Sequence, residues 1–571
     1  MNKLLRSKYG WIFLLLILAV INLVASRYHY RIDLTQEKRY TLSDATKQLL
    51  GGLDDNITVD FYLQGDLKSG IRKLAKSTDE LLQEFDEYSG GKIRVHAFDP
   101  LANLDDSAKT SLLDSLREMG IQPMTQVAQS KKGEEETQRI VLPAAIIKYK
   151  DKTFPINLLT GVQAPAGQEG QPQEQLYTNA ETLLEYKFAS AIDKATRKKV
   201  PAIGYVMGNG EPLDYSVYDL IQGLRTQYNF GVVSLDSLPV IPSVYNALII
   251  VKPTQKFTDR EKLTLDQYLL HGGHIIWAID NLRADMDSLR LDQETIAFDR
   301  GLDLEDLFFR YGVRVNQDLV ESMQCANLNL VVGMQGDKPQ IELLPWPYFP
   351  LLNGSLTHPI SKNLDPVYAK FPNSIDTVKA PGIEKTILLQ SSSNAKAIST
   401  PAMISFESVK QANDPNVFNR PNIPVAYLLE GKFHSLFANR LPQVIADSFA
   451  TVYGQPFLPE AKDPSRVIVI ANGDIVMNEV TQRGPLPMGL NKDINYKFAN
   501  GDFIQNCVEY MVNPSRILET RSKEFTLRLL DTAKVEANRS FCQFINIGLP
   551  ILLVILAGYA YQFARKRKYQ S

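Results

Sequence analysis

The sequence predicts an α/β protein with parallel strands, placed between two apolar segments at the ends of the chain. A strand, a helix and a second strand follow one another over residues 57–99. Strands and helices then alternate over residues 179–280, which is typical of a parallel sheet covered by helices on both faces. The apolar segments cover residues 11–25 and 541–563, and each has its basic residues crowded on the terminal side.

The C-terminal apolar segment is long enough to cross a membrane. Its 23 residues would extend roughly 34 Å as a helix, against a hydrocarbon core of ~30 Å. Four cations follow at residues 565–568. Because positive charge stays on the cytoplasmic side, we predict transmembrane helix 541–563 with a cytoplasmic tail at 564–571.

The N-terminal apolar segment allows two interpretations. Residues 9–26 would reach roughly 27 Å as a helix, with Lys8 and Arg27 snorkelling to the interfaces. We predict a transmembrane helix there and a cytoplasmic N-terminus at 1–8. Arg27 and Arg31 weaken the charge bias, so a cleaved signal peptide remains the alternative. Both interpretations place the interior outside the cytoplasm.

Composition excludes several classes of function. The 571 residues carry 62 basic and 64 acidic side chains, so no overall field favours nucleic acid. Three cysteines without a CxxC pair argue against structural zinc and dithiol redox chemistry. Whether Cys325 and Cys507 pair is left open.

Residues 27–162 are predicted to form the first domain. Ser43 is a good N-cap for a helix ending at Leu50, and strands at 57–63 and 92–99 should be parallel because a helix connects them. A helix at 107–119 and strands at 125–129 and 139–150 complete a pattern that resembles a thioredoxin-like domain. The loop after the first strand reads Gln64-Gly65-Asp66-Leu67 and lacks a redox motif, so this domain would be a scaffold.

The second domain is predicted at residues 179–514. A linker rich in Pro, Gly and Gln precedes it at 163–178, and a polar stalk at 515–540 follows. The predicted helices cover 179–196, 214–228, 259–270 and 502–511, and the predicted strands cover 202–207, 247–251, 275–280, 425–429 and 466–470. A Pro-rich segment at 343–352 is expected to be irregular.

The turn Gly208-Asn209-Gly210-Glu211 is the first candidate contact site. It follows a strand and opens a helix, where backbone amides can hold an anion. It matches neither a P-loop nor a full dinucleotide fingerprint. A tight β-to-α turn explains it without a ligand, and a ligand or partner contact is the alternative.

Trp346 and Tyr348 are the second candidate. They lie between prolines in the sequence Trp-Pro-Tyr-Phe. An exposed recognition loop would use their aromatic rings for contact, whereas buried packing of a long insertion would hide them.

No catalytic, cofactor-binding or metal-binding residue is predicted. His271 and His274 flank Gly272-Gly273, so they should end a helix and open a strand instead of sharing a metal. The sequence contains no GxSxG elbow and no Walker motif, and Cys325 has no neighbouring base in sequence. We therefore predict a protein that is not an enzyme.

The chain resembles the gliding-motility-associated ABC transporter auxiliary proteins of Bacteroidetes, the G component of the Gld system. The resemblance covers nearly the whole chain, and this chain has Asn209 where the family usually has histidine. The matching segments are Arg31-Ile-Asp-Leu-Thr, Tyr40-Thr-Leu-Ser-Asp, Pro143-Ala-Ala-Ile-Ile, Pro155-Ile-Asn-Leu-Leu, Gly208-Asn-Gly-Glu, Leu344-Pro-Trp-Pro-Tyr-Phe-Pro-Leu-Leu, Ala426-Tyr-Leu-Leu-Glu-Gly-Lys-Phe and Val467-Ile-Val-Ile-Ala-Asn-Gly-Asp.

The resemblance implies a thioredoxin-like first domain and a second domain like the class I glutamine amidotransferases. It also implies a polytopic permease and a separate cytoplasmic ATPase as partners, in the cytoplasmic membrane. The function expected is a non-catalytic anchored subunit that binds a substrate or partner or relays conformational change. The alternatives are a scaffold of the gliding or secretion machinery and an extracytoplasmic amidotransferase-like hydrolase.

Overall fold

The computed structural model describes residues 41–65, 67–102, 104–121, 123–129, 136–159, 173–284, 286, 289, 294–335, 338–412, 414–513, 517–522, 541 and 544–569, besides residues 19 and 22. The chain divides into two units, residues 1–523 and 524–571. The predicted N-terminal span at 9–26 lies outside the described residues apart from two positions. So do the first part of the predicted linker and most of the predicted stalk.

The first lobe of the large unit is a four-stranded sheet with helices on both faces. The strand order is β2-β1-β5-β6, and β1 and β2 are parallel as predicted. Its elements are α1 Asp44–Gly51, β1 Ile57–Phe61, α2 Ser69–Ser89, β2 Ile93–Ala97, α3 Asp106–Glu118, β3 Met124–Gln129, β4 Glu136–Val141, β5 Ala144–Tyr149 and β6 Lys152–Asn157.

One predicted strand of this lobe divides into two. The sequence pattern at 139–150 indicated a single strand, but β4 pairs with β3 in a separate hairpin while β5 joins the central sheet. Pro143 lies between them. Because proline has no N–H to donate to a ladder, it interrupts the strand at this position.

Helix α4, Gln173–Thr196, packs on the first lobe. Ala180, Leu184, Phe188 and Ile192 are spaced four residues apart and are buried in the same core as Val59. The helix thus begins inside the predicted linker and covers a sheet that precedes it in the chain. Side chains four apart share one helix face, which explains the packing.

The second lobe begins with alternating strands and helices, as predicted. These elements are β7 Ala202–Met207, α5 Tyr218–Gln227, β8 Asn229–Ser234, β9 Tyr245–Val251, α6 Asp259–Leu270 and β10 His274–Ala278. Helix α6 has the predicted bounds, and Thr258 and Glu261 form a capping box at its N-terminus, which satisfies two amides that the helix itself leaves free.

A long insertion made mainly of strands follows β10. It contains β11 Leu282–Arg283, β12 Glu294–Asp299, α7 Glu305–Tyr311, β13 Val313–Val315, β14 Asp318–Ser322, β15 Cys325–Gln335, β16 Lys338–Gly354, β17 Val367–Tyr368, β18 Ile375–Thr377, β19 Ile383–Gln390, β20 Ala395–Ser399 and β21 Ala402–Ser405. The chain then returns with β22 Pro424–Gly431, α8 Gln443–Thr451, β23 Ser465–Ile470, β24 Val480–Thr481, β25 Gly484–Pro485, β26 Leu490–Asn491, β27 Tyr496–Lys497 and α9 Asn500–Val512.

The main sheet of this lobe is mixed. Its parallel part runs in the order β8-β7-β9-β10-β23, the 2-1-3-4-5 order of flavodoxin-like doubly wound folds. Antiparallel strands β22, β19, β16 and β15 extend it. The crevice where the strand order reverses therefore falls between β7 and β9.

The segment at 343–352 was predicted to be irregular, and this prediction is wrong. It lies within the long strand β16. Pro345 pairs with Asn327 and Pro350 pairs with Cys325, so the residues between the two prolines face a single residue of β15. This bulge accommodates prolines that a regular ladder would exclude.

The small unit, residues 524–571, contains the C-terminal apolar helix. A π-helical turn at Phe544–Gly548 leads into α10, Leu549–Tyr569. Among the described residues, Phe544–Arg567 is the one helical segment long and apolar enough to cross a membrane, with a mean hydropathy of 2.0. It overlaps the predicted span at 541–563.

Candidate functional site

The predicted turn after β7 is packed into the protein. Asn209 and Glu211 are only 2% and 4% exposed. The Asn209 amide donates to Glu261 Oε2 at 3.1 Å, and its backbone N–H donates to Glu211 Oε2 at 2.8 Å. Burial raises the pKa of Glu211 to about 6. The tight turn therefore uses the Asn209 amide group and Glu211 Oε2, whereas Asn209 Oδ1 and Glu211 Oε1 are buried without a hydrogen-bond partner among the described residues.

This turn also closes the crevice at the reversal of strand order. The backbone N–H groups of Thr254 and Gln255 donate to the Asn209 carbonyl at 2.9 Å. Gly210 has φ +79, and a Cβ there would lie 2.1 Å from Thr254 Oγ1. The two loops are therefore in contact where doubly wound folds commonly hold a ligand. A role in ligand or partner contact for Gly208, Asn209, Gly210 and Glu211 stays a prediction.

A group of charged residues lies at the carboxyl ends of β9, β10 and β23. The Lys252 amine is 2.6 Å from Asp474 Oδ1 and 3.3 Å from Asp280 Oδ2. Burial lowers the pKa of Lys252, but the two carboxylates outweigh burial and raise it above its usual value. The amine therefore stays protonated, and this cluster ties three strand ends together without supplying a nucleophile.

Both described cysteines are free, buried thiols. Burial, assisted by the charge of Glu321, raises the pKa of Cys325 to about 12, and burial raises the pKa of Cys507 well above its usual value. A cysteine nucleophile must be a thiolate. Neither thiol is poised for catalysis at neutral pH.

The two neighbouring histidines occupy different elements, as predicted. His271 ends α6 and its Nε2 lies 3.0 Å from the Pro456 carbonyl oxygen. His274 opens β10, and its Nδ1 accepts the Arg466 N–H at 3.2 Å. No group of metal-ligating side chains is present among the described residues.

Trp346 and Tyr348 are buried, which corrects the exposed-loop alternative. They are 0% and 3% exposed. The Trp346 indole N–H donates to Ser408 Oγ at 2.9 Å, and the Tyr348 hydroxyl donates to the Met403 carbonyl at 3.3 Å. Their place inside strand β16 leaves these rings no surface for a partner, so the buried-packing alternative describes them.

A large cleft with a volume of about 2030 Å³ separates the two lobes. Helix α4 lines it with Tyr186, Lys187 and Lys194, and the edge strand β6 lines one side. Clefts between domains are common ligand sites. Local sequence patterns do not predict this site because its residues come from distant segments. The one local signal is Lys187 and Lys194, which lie seven residues apart on α4.

Lys187 lines the cleft from helix α4. Its amine donates to the carbonyls of Asn157 at 2.5 Å and Leu158 at 3.0 Å. Burial lowers the pKa of Lys187 to about 7, despite the opposing charges of Asp502 and Asp365. The Lys187 amine of the folded protein therefore loses its proton near neutral pH, far below the usual range of a lysine.

The Lys187→Met variant should lose part of the pH dependence of stability. Because the folded pKa is lowered, the folded state binds fewer protons than the unfolded state, and stability should rise as pH increases from about 7 towards 10. We expect the melting temperature of the wild type to rise more than that of K187M between pH 7 and pH 9.5. The exposed Lys76→Met control should follow the wild type, and parallel curves for K187M would contradict the assignment.

Two structural links join the lobes around the cleft. The Tyr186 ring packs against both cores, and its hydroxyl donates to Asn506 Oδ1 at 3.0 Å. Residues Ile517–Ser522 form a short 3₁₀ helix in which Ile517 is buried in the first core and Leu518 in the second. Arg521 donates to the Lys362 carbonyl at 2.9 Å.

Two protein families match this chain. The family described as ABC-type uncharacterized transport system matches residues 200–507, and Domain of unknown function (DUF7088) matches residues 36–148. No curated protein matches.

Two solved structures show low similarity. The mmIFT52 N-terminal domain is 15% identical, with 54% of this chain and 96% of that chain covered and a TM-score of 0.29. Exo-beta-1,4-mannosidase Op5Man5 from Opitutaceae bacterium strain TAV5 is 11% identical, with 79% and 49% covered and a TM-score of 0.18. Scores this low carry no argument about this protein.

The fold is that of a mixed α/β protein. Its two described thiols are held protonated by burial, and the turn at residues 208–211 is packed against the loop that contains Thr254 and Gln255. The transport-system match covers more than half of the 571 residues. The chain belongs to the family of ABC-type uncharacterized transport systems. Membership supports a transport-associated auxiliary protein.

Proposed function

We propose that this chain is a non-catalytic, membrane-anchored subunit of an ABC transport complex that relays conformational change between its membrane part and its exterior lobes. The family supports the transport role. The observation that carries the relay is the 3₁₀ helix Ile517–Ser522, which inserts one apolar side chain into each core. In sequence this helix stands at the end of the large unit, ahead of the candidate span at Phe544–Arg567.

The contacts of this segment explain how a displacement would reach both lobes. Arg521 is 4% exposed and its guanidinium lies 5.5 Å from the Tyr186 ring centroid. Tyr186 belongs to α4, which covers the first lobe and bonds to Asn506 of the second. Movement of the chain at Arg521 would therefore act on the element that the two lobes share.

The proposed topology has spans at 9–26 and 541–563, with both termini cytoplasmic and the lobes in the periplasm. The proposed domains are a thioredoxin-like domain at 27–162 and an amidotransferase-like domain at 179–514, whose first helix, α4, packs on the first lobe. The partners would be a polytopic permease and a cytoplasmic ATPase. The resemblance of the sequence supports association with gliding motility.

Affinity purification of the tagged full-length chain from native membranes tests this function. We expect a permease-like protein and an ATPase to co-purify, whereas a monomer without either partner would overturn the proposal. The Arg521→Ala variant should retain both partners but alter the ATPase rate of the complex at least twofold. The matched Arg314→Ala variant, which removes an exposed arginine paired with Asp376, should leave the rate unchanged.

A scaffold that moves no solute is the competing function. Inactivating the partner ATPase separates the two, because a scaffold keeps its activity when ATP hydrolysis stops. Retention of motility with an inactive ATPase would favour the scaffold. Loss of motility together with transport would favour the relay.

A further inference from the structure

The cleft between the lobes carries an excess of positive charge. Two carboxylates line it, Asp365 and Asp502, against six cations. They leave a formal excess of four positive charges in a chain whose net charge is -2. The six cations are Lys152, Lys187, Lys194, Arg225, Lys497 and Arg521.

These cations are not neutralised by ion pairs. Among the described residues, none of the six lies within 4.0 Å of a carboxylate oxygen. Their close partners are neutral: the Lys194 amine donates to Gln227 Oε1 at 2.7 Å, and the Arg225 guanidinium lies 5.3 Å from the Phe230 ring centroid. Burial lowers the pKa of Lys187 and of Lys194. The charge available to an anionic ligand is therefore mainly that of Lys152, Arg225, Lys497 and Arg521.

The edge strand β6 borders the same cleft. It pairs with β5 on one side, and no strand in the described part of the chain pairs with its other side. Lys152, Thr153, Pro155 and Asn157 are exposed. Unpaired edge strands are templates for another chain, because their backbone groups lack partners.

One hydrogen bond shows which backbone groups of β6 point away from β5. The Leu158 N–H donates to the Pro143 carbonyl at 2.8 Å, which sets the antiparallel alternation. Thr153, Pro155 and Asn157 then turn their backbone groups away from β5. Pro155 has no N–H to leave unpaired, and the Asn157 carbonyl is already bonded to Lys187.

We propose that this cleft binds an extended, acidic polypeptide segment of a partner, which adds to β6 as a further strand. The Thr153 N–H and the carbonyls of Thr153 and Pro155 would pair with the backbone of the segment. Its carboxylates would meet the cations of the opposite wall. The proposal rests on the proposed function only in assuming that the chain is a binding subunit.

Two features favour a polypeptide over an anionic glycan. The outward carbonyls of Thr153 and Pro155 are two residues apart on β6, at a strand spacing of roughly 6.6 Å, which the backbone of an extended peptide matches. Strand addition is also an established mode of peptide recognition, in which backbone bonds give affinity and side-chain contacts give specificity.

Fluorescence anisotropy with the detergent-solubilised full-length chain tests the proposal. The ligands are labelled 12-residue peptides that alternate threonine with glutamate, lysine or glutamine. We expect the glutamate peptide to bind at least tenfold more tightly than the lysine peptide, with an affinity that falls as salt increases. Equal binding of the glutamate and lysine peptides would overturn the proposal.

Matched variants locate the binding. Arg225→Glu with Lys497→Glu should weaken binding of the glutamate peptide at least tenfold. Lys76→Glu with Lys109→Glu makes the same change of net charge on exposed helices outside the cleft and should have little effect. Equal losses from the two double variants would show a general charge effect and overturn the cleft assignment.

The strand edge has its own test. Thr153→Pro removes the outward N–H and should weaken binding threefold or more, whereas Thr153→Val keeps it and should not. Comparison of their melting temperatures separates lost binding from unfolding. Competition by polygalacturonate together with no effect of T153P would identify an anionic glycan and overturn the polypeptide. If no peptide binds while permease and ATPase still co-purify, this inference fails and the proposed function stands.

Discussion

Replacing Trp346 with alanine should lower the free energy of unfolding by about 3–5 kcal/mol, the range for removing a fully buried large aromatic side chain. The ring centroid of Trp346 lies 4.8–5.6 Å from those of Tyr348, Phe349, Phe371 and Phe406. Alanine would leave a cavity at the centre of this aromatic cluster and would remove the donor to Ser408. Urea denaturation followed by far-UV circular dichroism measures the loss.

Two variants separate packing from a general effect of substitution. Trp346→Phe keeps an aromatic ring and should cost clearly less than alanine, because less volume is lost. Phe309→Ala removes a side chain that is 57% exposed and should change stability by about 0.5 kcal/mol or less. If W346A were as mild as F309A, the indole would not be a core residue.

Much of the second lobe could be predicted from local patterns. Strand β7 and helix α6 have the bounds that the sequence indicated. In both, the signal is local: a short apolar run enters a glycine turn, and Thr258 with Glu261 marks a helix start. The separate elements of His271 and His274 also follow from the two glycines between them in sequence.

The features that sequence reasoning missed depend on contacts between distant segments. Strand β16 contains prolines that argue against a strand, and only the bulge opposite β15 makes room for them. Helix α4 was assigned to the second domain because it follows the linker, yet its apolar face covers the first sheet. The cations of the cleft are scattered in the sequence and come together only when the lobes pack. No local pattern therefore predicts the cleft.

Replacing Glu509 with alanine should be comparably destabilising, because it breaks the buried network that joins α4 to α9. Glu509 is 4% exposed and forms an ion pair with Arg197. It accepts the Tyr228 hydroxyl at 2.6 Å and the Asn513 amide at 2.7 Å. Alanine leaves the Arg197 guanidinium with Asp193 alone, and breaking a buried pair costs about 3–5 kcal/mol.

The stability lost in Glu509→Ala should depend on pH in a defined direction. Burial raises the pKa of Glu509, but Lys194 and Arg197 outweigh it and hold that pKa below its usual value. The pKa of Glu509 is lower in the folded protein than the unfolded value of about 4.3. Ionised Glu509 therefore stabilises the folded protein above that pH, and this stabilisation is lost as pH falls through the folded pKa. The gap between the wild type and E509A should therefore be largest near pH 7 and should narrow below about pH 4.

The Arg197→Met, Glu509→Ala double variant shows whether the pair itself causes the loss. Removing both charges should cost less than E509A alone, because no buried guanidinium is left uncompensated. Purely additive losses would mean that the two side chains act independently.

This network fixes α4 to the second lobe, and Tyr186 lies on the same helix. E509A should therefore also alter the ATPase rate of the complex, in the same direction as Arg521→Ala. An unchanged rate in a folded E509A complex would show that α4 does not transmit the motion.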